Sequence, residues 1–312
     1  MTTTLARTLD RWWIVEGTRA IPLSIDAPTT RALIEQRGLL DGARLESEAV
    51  EVSSLSLESP VTTPCRVVAQ MVNYRSHAQD SGFDPARVLP TFFRKSSASL
   101  CGPTSPIVRP AHVGLLDYEV EVGLVLGRAL EIGEMVTERT LPDVVAGLVV
   151  TNDVSARDVQ LSKGQFYESK SYPTFTPAGP YLVLVEADDF AHLANLRLSL
   201  SVNGILRQDR TVADMIVRPA EALTLLARFQ PMSPGDLLLT GTPGGTALKA
   251  PPKIVEKAAA LLPPHRKWEI FFKKQSQVPA YLRPGDVVEA SIASVDGRMD
   301  LGTQRNTVVA GS

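Results

Sequence analysis

The stretch Asp117-Tyr118-Glu119-Val120-Glu121-Val122-Gly123-Leu124-Val125-Leu126 has the composition of a buried β-strand that carries carboxylates near its start. Side chains two positions apart on a strand point to the same side, so Glu119 and Glu121 are predicted to face together. Burying two like charges at this spacing is costly unless a cation neutralises them. The pattern therefore indicates a bound cation, although on spacing alone it also fits the wet face of an edge strand.

A second apolar stretch, Val144 to Asp153, also ends in a carboxylate. If the two predicted strands meet, oxygens from Glu119, Glu121 and Asp153 converge on one point. An all-carboxylate set favours a hard ion, Mg²⁺ or Mn²⁺ and less so Ca²⁺, over zinc, which prefers nitrogen and sulfur ligands. The sequence therefore predicts a divalent-metal site at these three residues.

The composition of the 312 residues is typical of a globular protein with a large buried core, since 44% of them are hydrophobic. A formal net charge of -2 gives no general attraction to nucleic acid or to an anionic membrane, so a small-molecule partner is expected. The N-terminal residues lack the apolar centre of a signal peptide, and no apolar run approaches the roughly 20 residues that span a bilayer. We therefore expect a cytoplasmic protein.

The distribution of proline and other turn residues predicts two domains. Residues 1–64 are predicted to form a small N-terminal α+β domain that ends in a proline-containing segment. In residues 65–312, short runs of Val, Leu and Ile between Gly and Pro predict many strands and few long helices. The expected fold is mostly β with α, of the α+β class. A Lys- and Pro-rich stretch at about 247–280, with a predicted helix at Ile254–Leu262, fits a solvated surface insertion.

The segment Asn73 to Asp80 follows an apolar strand and places His77 and Asp80 three residues apart, so they are neighbours if the segment is helical. A carboxylate can orient a histidine ring and raise its basicity, as the activation of a water nucleophile requires. The chain has four histidines, and His77 is the best candidate for a general base. A His-x-x-Asp pair by itself also arises by chance on a protein surface.

Several polar side chains near these motifs could anchor a substrate carboxylate, and each of them is also compatible with a solvated surface position. These residues are Arg94, Lys95, Arg157, Gln160 and Lys170.

The segment Gly241-Thr242-Pro243-Gly244-Gly245 brings backbone amides and the Thr242 hydroxyl to a loop after a predicted strand, where they could hold an oxyanion. The segment matches neither the P-loop nor the GxGxxG pattern. Nucleotide binding is therefore disfavoured.

Taken together, these motifs resemble the fumarylacetoacetate hydrolase superfamily from about Val67 to Val309. The family patterns are Asn-Tyr-x-x-His, Asp-Tyr-Glu-x-Glu, Asn-Asp-x-Ser-Ala-Arg-Asp, Lys-Ser-x-x-Thr, Val-Asn-Gly and Thr-Gly-Thr-Pro. In this chain they occur, in the same order, at Asn73 to His77, Asp117 to Glu121, Asn152 to Asp158, Lys170 to Thr174, Val202 to Gly204 and Thr240 to Pro243. The closing segment Leu301 to Asn306 also fits. Because several motifs match in order, the likeness is specific.

The resemblance implies a catalytic domain built around a rolled mixed β-sheet, a homodimer, and Mg²⁺ or Mn²⁺ bound by Glu119, Glu121 and Asp153. It favours the buried metal site over the exposed edge strand for these three residues. The segment 247–280 is longer than expected of the family and could reshape the mouth of the substrate site.

The resemblance also places the family's water-activating pair on His77 and Asp80, and smaller bacterial members usually carry Glu at the position of Asp80. Because Asp is one methylene shorter, the geometry of this pair is less secure than the metal site. Lys170 is expected to take part in catalysis, and Tyr74 and Thr242 are expected to contact the substrate.

The leading hypothesis is hydrolysis of a C–C bond in an acylpyruvate or related 1,3-diketo acid, a small-molecule carboxylic acid. The metal would act as a Lewis acid, Lys170 and Arg157 would hold the carboxylate, and His77 with Asp80 would activate water. An alternative uses the same metal-stabilised enolate for isomerisation or decarboxylation of a 2-oxo or 2-hydroxydienoic diacid. A further alternative is a non-catalytic metal- or ligand-binding module, since a fold alone does not determine activity.

Overall fold

The computed structural model describes residues 2–250 and 263–311. Its strands, in chain order, are β1 Thr3–Arg7, β2 Trp12–Glu16, β3 Arg19–Pro22, β4 Val50–Glu51, β5 Val67–Met71, β6 Thr91–Lys95, β7 Leu100–Cys101, β8 Ile107–Arg109, β9 Leu116–Asp117, β10 Val120–Leu126, β11 Val145–Asn152, β12 Ser155–Ala156, β13 Thr176–Pro177, β14 Leu182–Leu184, β15 Leu196–Val202, β16 Ile205–Thr211, β17 Leu237–Leu239, β18 Val287–Ser294 and β19 Asp300–Ala310.

The α-helices of the described residues are short, except for the last. They are α1 Thr30–Glu35, α2 Arg75–Asp80, α3 Leu141–Val144, α4 Arg157–Lys163, α5 Tyr167–Lys170, α6 Ala187–Phe190, α7 Pro219–Leu226 and α8 Pro264–Gln275. Short 3-10 helices lie at Arg37–Leu39, Asp41–Ala43, Glu46–Glu48, Val52–Ser54, Pro85–Arg87, Ser97–Ser99, Leu193–Asn195 and Val212–Asp214. In this part of the chain, no helix combines the length and the apolar character that crossing a bilayer requires.

The largest sheet has ten strands in the order β4-β3-β2-β1-β14-β11-β10-β17-β5-β6. Strands β17 and β5 are parallel, and the other neighbouring pairs are antiparallel, so the sheet is mixed. Every residue of β10 and β11 is buried, as expected of strands that are covered on both faces. The predicted mostly β, α+β fold is confirmed.

A second sheet of five strands, in the order β16-β15-β18-β19-β8, packs against the first. Buried and more exposed residues alternate along β15 and β18, which therefore present one face to the core. The main hydrophobic cluster joins the two sheets, with Leu124 from the first and Leu198 and Ile292 from the second. The amide Nε2 of Gln304 on β19 donates to the carbonyl of Val150 on β11 over 2.7 Å.

The N-terminal strands extend the ten-stranded sheet, because β1 pairs with β14. Leu5, Trp12 and Leu33 share a second hydrophobic cluster with Val125 and Leu237 of the central strands. Backbone pairing and a common core therefore cross the predicted boundary at residue 64. The separate folding of the N-terminal domain stays a prediction.

The predicted insertion at 247–280 lies only partly within the described residues. The predicted helix at Ile254–Leu262 lies outside them. Helix α8 falls within the described part and continues the chain toward β18.

Strand ends position the functional residues. Val120 at the start of β10 pairs with Asn152 at the end of β11. Strand β17 is antiparallel to β10, so its carboxyl end meets the same edge of the sheet. Strand β5 is parallel to β17 and leads into α2. Carboxylates next to Val120 and Asn152 therefore lie near α2 and near the loop that follows β17.

Candidate metal centre and active site

Three carboxylates meet at this edge of the sheet. Glu121 lies on β10, Glu119 directly precedes that strand, Asp153 directly follows β11, and all three are buried. The backbone N–H of Asp153 donates to the carbonyl of Glu119 over 2.8 Å, which joins the two strand ends. One oxygen of each carboxylate lies within 4.8 Å of the others. Two oxygens that share an ion bound at 2.0–2.6 Å are at most about 5 Å apart, so the geometry of this acidic triad suits a divalent cation.

Two lysines neutralise part of the triad. Lys170 Nζ donates to Glu119 Oε2 and to Asp153 Oδ2, both over 2.6 Å. Lys95 Nζ donates to Asp153 Oδ1 and, over 2.8 Å, to the carbonyl of Phe175. Burial alone would lower the pKa of Lys170, but the charges of Asp153 and Glu119 raise that pKa above its ordinary value. Lys170 is therefore protonated at neutral pH.

The guanidinium of Arg157 holds a second group of acceptors. Its Nε donates to Asp117 Oδ2 over 2.8 Å, its Nη2 donates to Glu119 Oε1, and its Nη1 donates to Gln160 Oε1 over 2.9 Å. Each of its three nitrogens thus has a protein partner. The predicted role of Arg157 in holding a substrate carboxylate stays a prediction.

Glu121 differs from the other two carboxylates of the triad. Within the described residues it forms no ion pair, and its Oε2 accepts the backbone N–H of Gly241 over 2.6 Å. Burial, together with the charges of Asp153 and Glu119, raises the pKa of Glu121 well above its ordinary value. Burial acts the same way on Glu119, but its cationic neighbours hold the pKa of Glu119 below its ordinary value.

The charges of this cluster do not balance. With Asp117, the described cluster has four buried carboxylates against three cationic side chains, those of Lys95, Arg157 and Lys170. A buried charge without a partner is unfavourable. A divalent cation next to Glu121 would provide the missing positive charge, so the residues present fit Mg²⁺ or Mn²⁺.

His77 lies on α2 with 8% of its surface exposed, and its buried Nδ1 has no hydrogen-bond partner in the described part of the chain. Burial lowers the pKa of His77. The imidazole is therefore neutral at neutral pH and can accept a proton.

Asp80 does not orient this histidine. Its Oδ2 accepts the backbone N–H of Gly245 over 2.9 Å, and Lys249 Nζ lies 3.8 Å from the same oxygen. The short side chain at the end of α2 thus contacts the loop after β17, and the hydrogen bond expected with His77 is not formed. The role of Asp80 in water activation stays a prediction.

The loop after β17 uses its donors within the protein. The Thr242 hydroxyl donates to the carbonyl of Val120 over 2.9 Å and accepts Nε2 of Gln208 over 2.8 Å. The Gly241 amide donates to Glu121, as described above. Both of these donors have acceptors within the protein, and the role of this loop in holding an oxyanion stays a prediction. Contact between Thr242 and the substrate stays a prediction.

Three predicted substrate ligands, Tyr74, Arg94 and Lys95, are not among the residues that line the triad cavity. Tyr74 is fully buried in the main hydrophobic cluster, and its hydroxyl has no partner in the described residues. Side chains alternate along β6, so Lys95 points inward while Arg94 is exposed. Arg94 and Lys95 line the same separate cavity of about 460 Å³. The structure therefore does not place Tyr74, Arg94 or Lys95 in the lining of the substrate cavity.

A cavity of about 820 Å³ opens over the triad, a volume within the usual range for small-molecule sites. The predicted site residues that line it are His77, Glu119, Glu121, Arg157, Gln160, Lys170 and Thr242. Its wall also contains aromatic residues that the sequence analysis did not select, Phe83, Phe93, Phe166, Trp268 and Phe271.

Asp117 was also missed as a site residue, although it belongs to a motif that was singled out. It is fully buried, pairs with Arg157, and accepts the backbone N–H groups of Ala247 and Leu248 over 2.8 and 3.1 Å. Its place before two other acids of the same motif could have identified it. The aromatic wall had no such local pattern, because its members come from distant segments.

Comparison with known proteins identifies the family of this chain. Residues 66–309 match the model of the Fumarylacetoacetate (FAA) hydrolase C-terminal family. The chain is 34% identical over 207 residues to Oxaloacetate tautomerase Fahd2a, mitochondrial, of Rattus norvegicus, an alignment that covers 66% of this chain and 64% of that protein. It is 33% identical over 250 residues to the 2,4-didehydro-3-deoxy-L-rhamnonate hydrolase of Sphingomonas sp., covering 80% of this chain and 75% of that protein.

Solved structures share the fold over the whole chain. A probable 2-hydroxyhepta-2,4-diene-1,7-dioate isomerase from Mycobacterium abscessus superimposes with a TM-score of 0.75 at 29% identity, covering 100% of both chains. The maleylpyruvate hydrolase from Sphingobium sp. SYK-6, in complex with manganese(II) and pyruvate, superimposes with a TM-score of 0.71 at 24% identity, covering 99% of this chain and 100% of that chain.

Proposed function

The chain belongs to the fumarylacetoacetate hydrolase family, and on this premise we propose that it is a divalent-metal-dependent enzyme that hydrolyses a C–C bond of an acylpyruvate or related 1,3-diketo acid. The relatives named above include hydrolases, an isomerase and a tautomerase, so the family is enzymatic and its reactions vary. The observation that carries the proposal is the position of His77. Its imidazole is neutral, its Nδ1 has no hydrogen-bond partner among the described residues, and it lines the same cavity as Glu119 and Glu121 of the acidic triad.

The overall reaction converts R–CO–CH₂–CO–COO⁻ and water into R–COOH and CH₃–CO–COO⁻. His77 accepts a proton from water as the water oxygen adds to the C4 carbonyl carbon. The C3–C4 bond then breaks, and its electron pair passes to C3 to form the enolate of pyruvate. The proton that His77 took from water is then transferred to C3, which gives pyruvate and returns His77 to its neutral form.

Glu119, Glu121 and Asp153 are the residues that would hold Mg²⁺ or Mn²⁺. When bound there, the ion supplies Lewis-acid stabilisation of the negative charge that develops on the substrate oxygens. The charge imbalance of the cluster supports this assignment, as does the manganese(II) in the maleylpyruvate hydrolase of the same fold.

The chain's other polar residues hold and orient the substrate. Lys170 is protonated and lines the cavity beside Glu119, where it can attract the substrate carboxylate. Arg157 fixes Gln160 by a hydrogen bond to Oε1, which leaves the Gln160 amide N–H groups to donate into the cavity. The proposal also includes a homodimer and a cytoplasmic location. Its expected partner is a small carboxylic acid, and neither nucleic acid nor a membrane is expected to bind.

A second candidate is isomerisation, decarboxylation or keto–enol exchange of a 2-oxo acid, reactions that need no attacking water. One observation favours this group of reactions: the Asp80 carboxylate accepts the Gly245 N–H, and no carboxylate of the described residues forms a hydrogen bond with Nδ1 of His77. The similarity to an oxaloacetate tautomerase points the same way.

One assay separates the two candidates. Purified enzyme with Mn²⁺ or Mg²⁺ is given acylpyruvates and, separately, oxaloacetate, and the products are followed by proton NMR. Hydrolysis releases pyruvate and a carboxylic acid in equal amounts, whereas tautomerisation only accelerates exchange between keto and enol forms. Release of no carboxylic acid from any 1,3-diketo acid would refute the proposed hydrolase. The His77→Ala variant serves as the control for catalysis by this site.

A further inference from the structure

We propose that the acyl group of the substrate is bulky and apolar, an aromatic ring or a long alkyl chain, held between two aromatic walls, one of which is α8. This inference rests on the proposed function. It identifies the group R of the acylpyruvate from the shape and chemistry of the cavity.

The first wall begins directly beside the acidic triad. The rings of Phe93 and Phe166 stack with their centroids 5.1 Å apart, and both line the cavity. Lys170 Nζ lies 5.4 Å from the centroid of Phe93, a cation–π distance. A substrate whose carboxylate is held near Lys170 therefore has an aromatic surface next to its remaining carbon atoms.

The second wall comes from α8. Trp268, Ile270 and Phe271 line the cavity, and the rings of Trp268 and Phe271 meet edge to face with centroids 5.8 Å apart. The ring of Phe272 stacks on that of Trp268, with centroids 5.5 Å apart, and Phe272 also contacts the main hydrophobic cluster. Phe272 therefore supports the wall, while Trp268 and Phe271 form its surface.

This wall is partly open to solvent in the described structure. Trp268 is 37% exposed and Ile270 is 54% exposed, as is Phe83 (55%) on the segment after α2. Exposed large apolar side chains gathered around one cavity indicate a binding surface, because covering them removes apolar area from water. An apolar acyl group in the cavity would cover them.

The size of the cavity favours a large acyl group over a small one. Sites for drug-sized ligands occupy about 300–1,000 Å³, and this cavity has about 820 Å³. A substrate with only four or five carbons would leave most of the space to water. Aromatic and aliphatic side chains contribute much of its lining, and the charged residues that line it are Glu119, Glu121, Arg157, Lys170, Lys249 and Lys274.

The position of α8 connects the predicted insertion with the substrate cavity. The helix lies within 247–280, the segment that is longer than the resemblance predicts. Leu248 and Ala250, where the segment leaves the loop after β17, line the same cavity. The insertion therefore contributes to the substrate site as well as to the surface.

The test compares 2,4-dioxo acids that share the reacting head and differ only in the acyl group. The panel is acetylpyruvate, benzoylpyruvate, a 2,4-dioxo acid with an eight-carbon alkyl acyl group, and one whose acyl group ends in a carboxylate. We expect kcat/KM with Mn²⁺ to be at least about 10-fold higher for the benzoyl and alkyl acids than for acetylpyruvate, from burial of the added apolar area. A preference for acetylpyruvate or for the carboxylate-ended acid would overturn the inference.

Matched variants locate the effect on α8. Trp268→Ala and Phe271→Ala should remove most of the preference for benzoylpyruvate, measured as the ratio of its kcat/KM to that of acetylpyruvate, chiefly through a higher KM for benzoylpyruvate. Glu269→Ala is the control, because Glu269 is exposed on the same helix and does not line the cavity. The assignment of this wall is wrong if both aromatic variants keep the preference for benzoylpyruvate over acetylpyruvate. It is also wrong if they lose the preference only because their oligomeric state changes.

Binding separates this inference from the proposed reaction. Calorimetric titration of the His77→Ala variant with the same acids measures affinity without turnover. Tighter binding of the benzoyl and alkyl acids, lost in His77→Ala/Trp268→Ala, supports the apolar wall even if the wild type cleaves none of them. Equal affinity for all four acids contradicts the wall even if the wild type cleaves every one.

Discussion

The backbone N–H of Gly245 donates to Oδ2 of Asp80 over 2.9 Å, and this hydrogen bond joins the end of α2 to the loop after β17. The same loop donates the Gly241 amide to Glu121. Asp80 therefore anchors the loop that contacts Glu121 of the acidic triad, while His77 lines the cavity.

This arrangement predicts different outcomes for variants of the two residues. His77→Ala should lower kcat for acylpyruvate cleavage by about 10²-fold or more, the usual effect of removing a general base. Asp80→Asn should keep kcat within about 5-fold, because the amide oxygen of Asn can still accept the Gly245 N–H. Asp80→Ala should lower the free energy of unfolding by about 1–2 kcal/mol, since the Gly245 N–H loses its acceptor.

Steady-state kinetics and urea unfolding check these outcomes. The acid limb of the kcat pH profile is a further control. If the Asp80 carboxylate oriented His77, Asp80→Asn would lower the pKa of His77 and shift the acid limb to lower pH. If Asp80 only accepts the Gly245 N–H, the acid limb should stay at the same pH.

Glu121→Gln should have opposite effects on metal binding and on the stability of the metal-free protein. Mn²⁺ affinity should fall at least about 10-fold, because one of three anionic ligands is lost. The metal-free variant should melt at a higher temperature than the metal-free wild type, with each 1 kcal/mol gained worth about 2–4 °C. The amide of Gln keeps an acceptor for the Gly241 N–H and removes a carboxyl group that forms no ion pair within residues 2–250 and 263–311.

The sign of the pH effect follows from the raised pKa of Glu121. A carboxyl group whose pKa is higher in the folded than in the unfolded chain lowers the free energy of unfolding once the pH exceeds its ordinary pKa. This loss of stability stops growing when the pH exceeds the pKa in the folded chain. The advantage of Glu121→Gln should therefore be absent below the ordinary pKa and grow as the pH rises. Calorimetric titration and thermal melts over pH measure both effects. Glu221→Gln, at an exposed helical carboxylate, should change neither.

Removal of the metal should abolish activity and leave the fold intact. The hydrophobic clusters that join the sheets do not include the acidic triad, so folding does not depend on one ion as in a zinc finger. The far-ultraviolet circular dichroism spectrum should be unchanged after treatment with a chelator, and activity should return on addition of Mn²⁺. Mn²⁺ should raise the melting temperature, because an ion at 100 times its Kd adds about 2.7 kcal/mol to the free energy of unfolding. Collapse of the spectrum on chelation would instead show a structural ion.

Two glycines with positive φ provide a matched test of packing around the site. A Cβ at Gly245 (φ +104°) would lie 2.0 Å from the carbonyl oxygen of Arg207, whereas a Cβ at Gly297 (φ +73°) would meet nothing within 4 Å. Gly297→Ala should cost about 1–2 kcal/mol from backbone conformation alone. Gly245→Ala should cost more than about 3 kcal/mol, because backbone must also move. Equal unfolding midpoints for the two variants in urea would contradict this account.

The sequence by itself determined the parts of the site that depend on local pattern. The apolar runs predicted the central strands β10 and β11, and the spacing of Glu119 and Glu121 predicted that both would face one point. Asp153 could be added because it follows the second run, and ordered motifs supported the same three residues. Strand periodicity and burial of apolar residues are local properties, so a single chain is enough to recognise them.

The tertiary structure decided what depends on contacts between distant segments. In the folded chain Asp80 accepts the Gly245 N–H and does not form the predicted hydrogen bond with His77. Arg157 forms ion pairs with Asp117 and Glu119, and Tyr74 is buried in the core. The tertiary structure also brought α8 to the cavity, although a segment rich in Lys and Pro predicts a solvated insertion. Which donor meets which acceptor depends on the position of strand ends and loops in space, and residues separated by many positions carry no mutual pattern in the sequence that would reveal it.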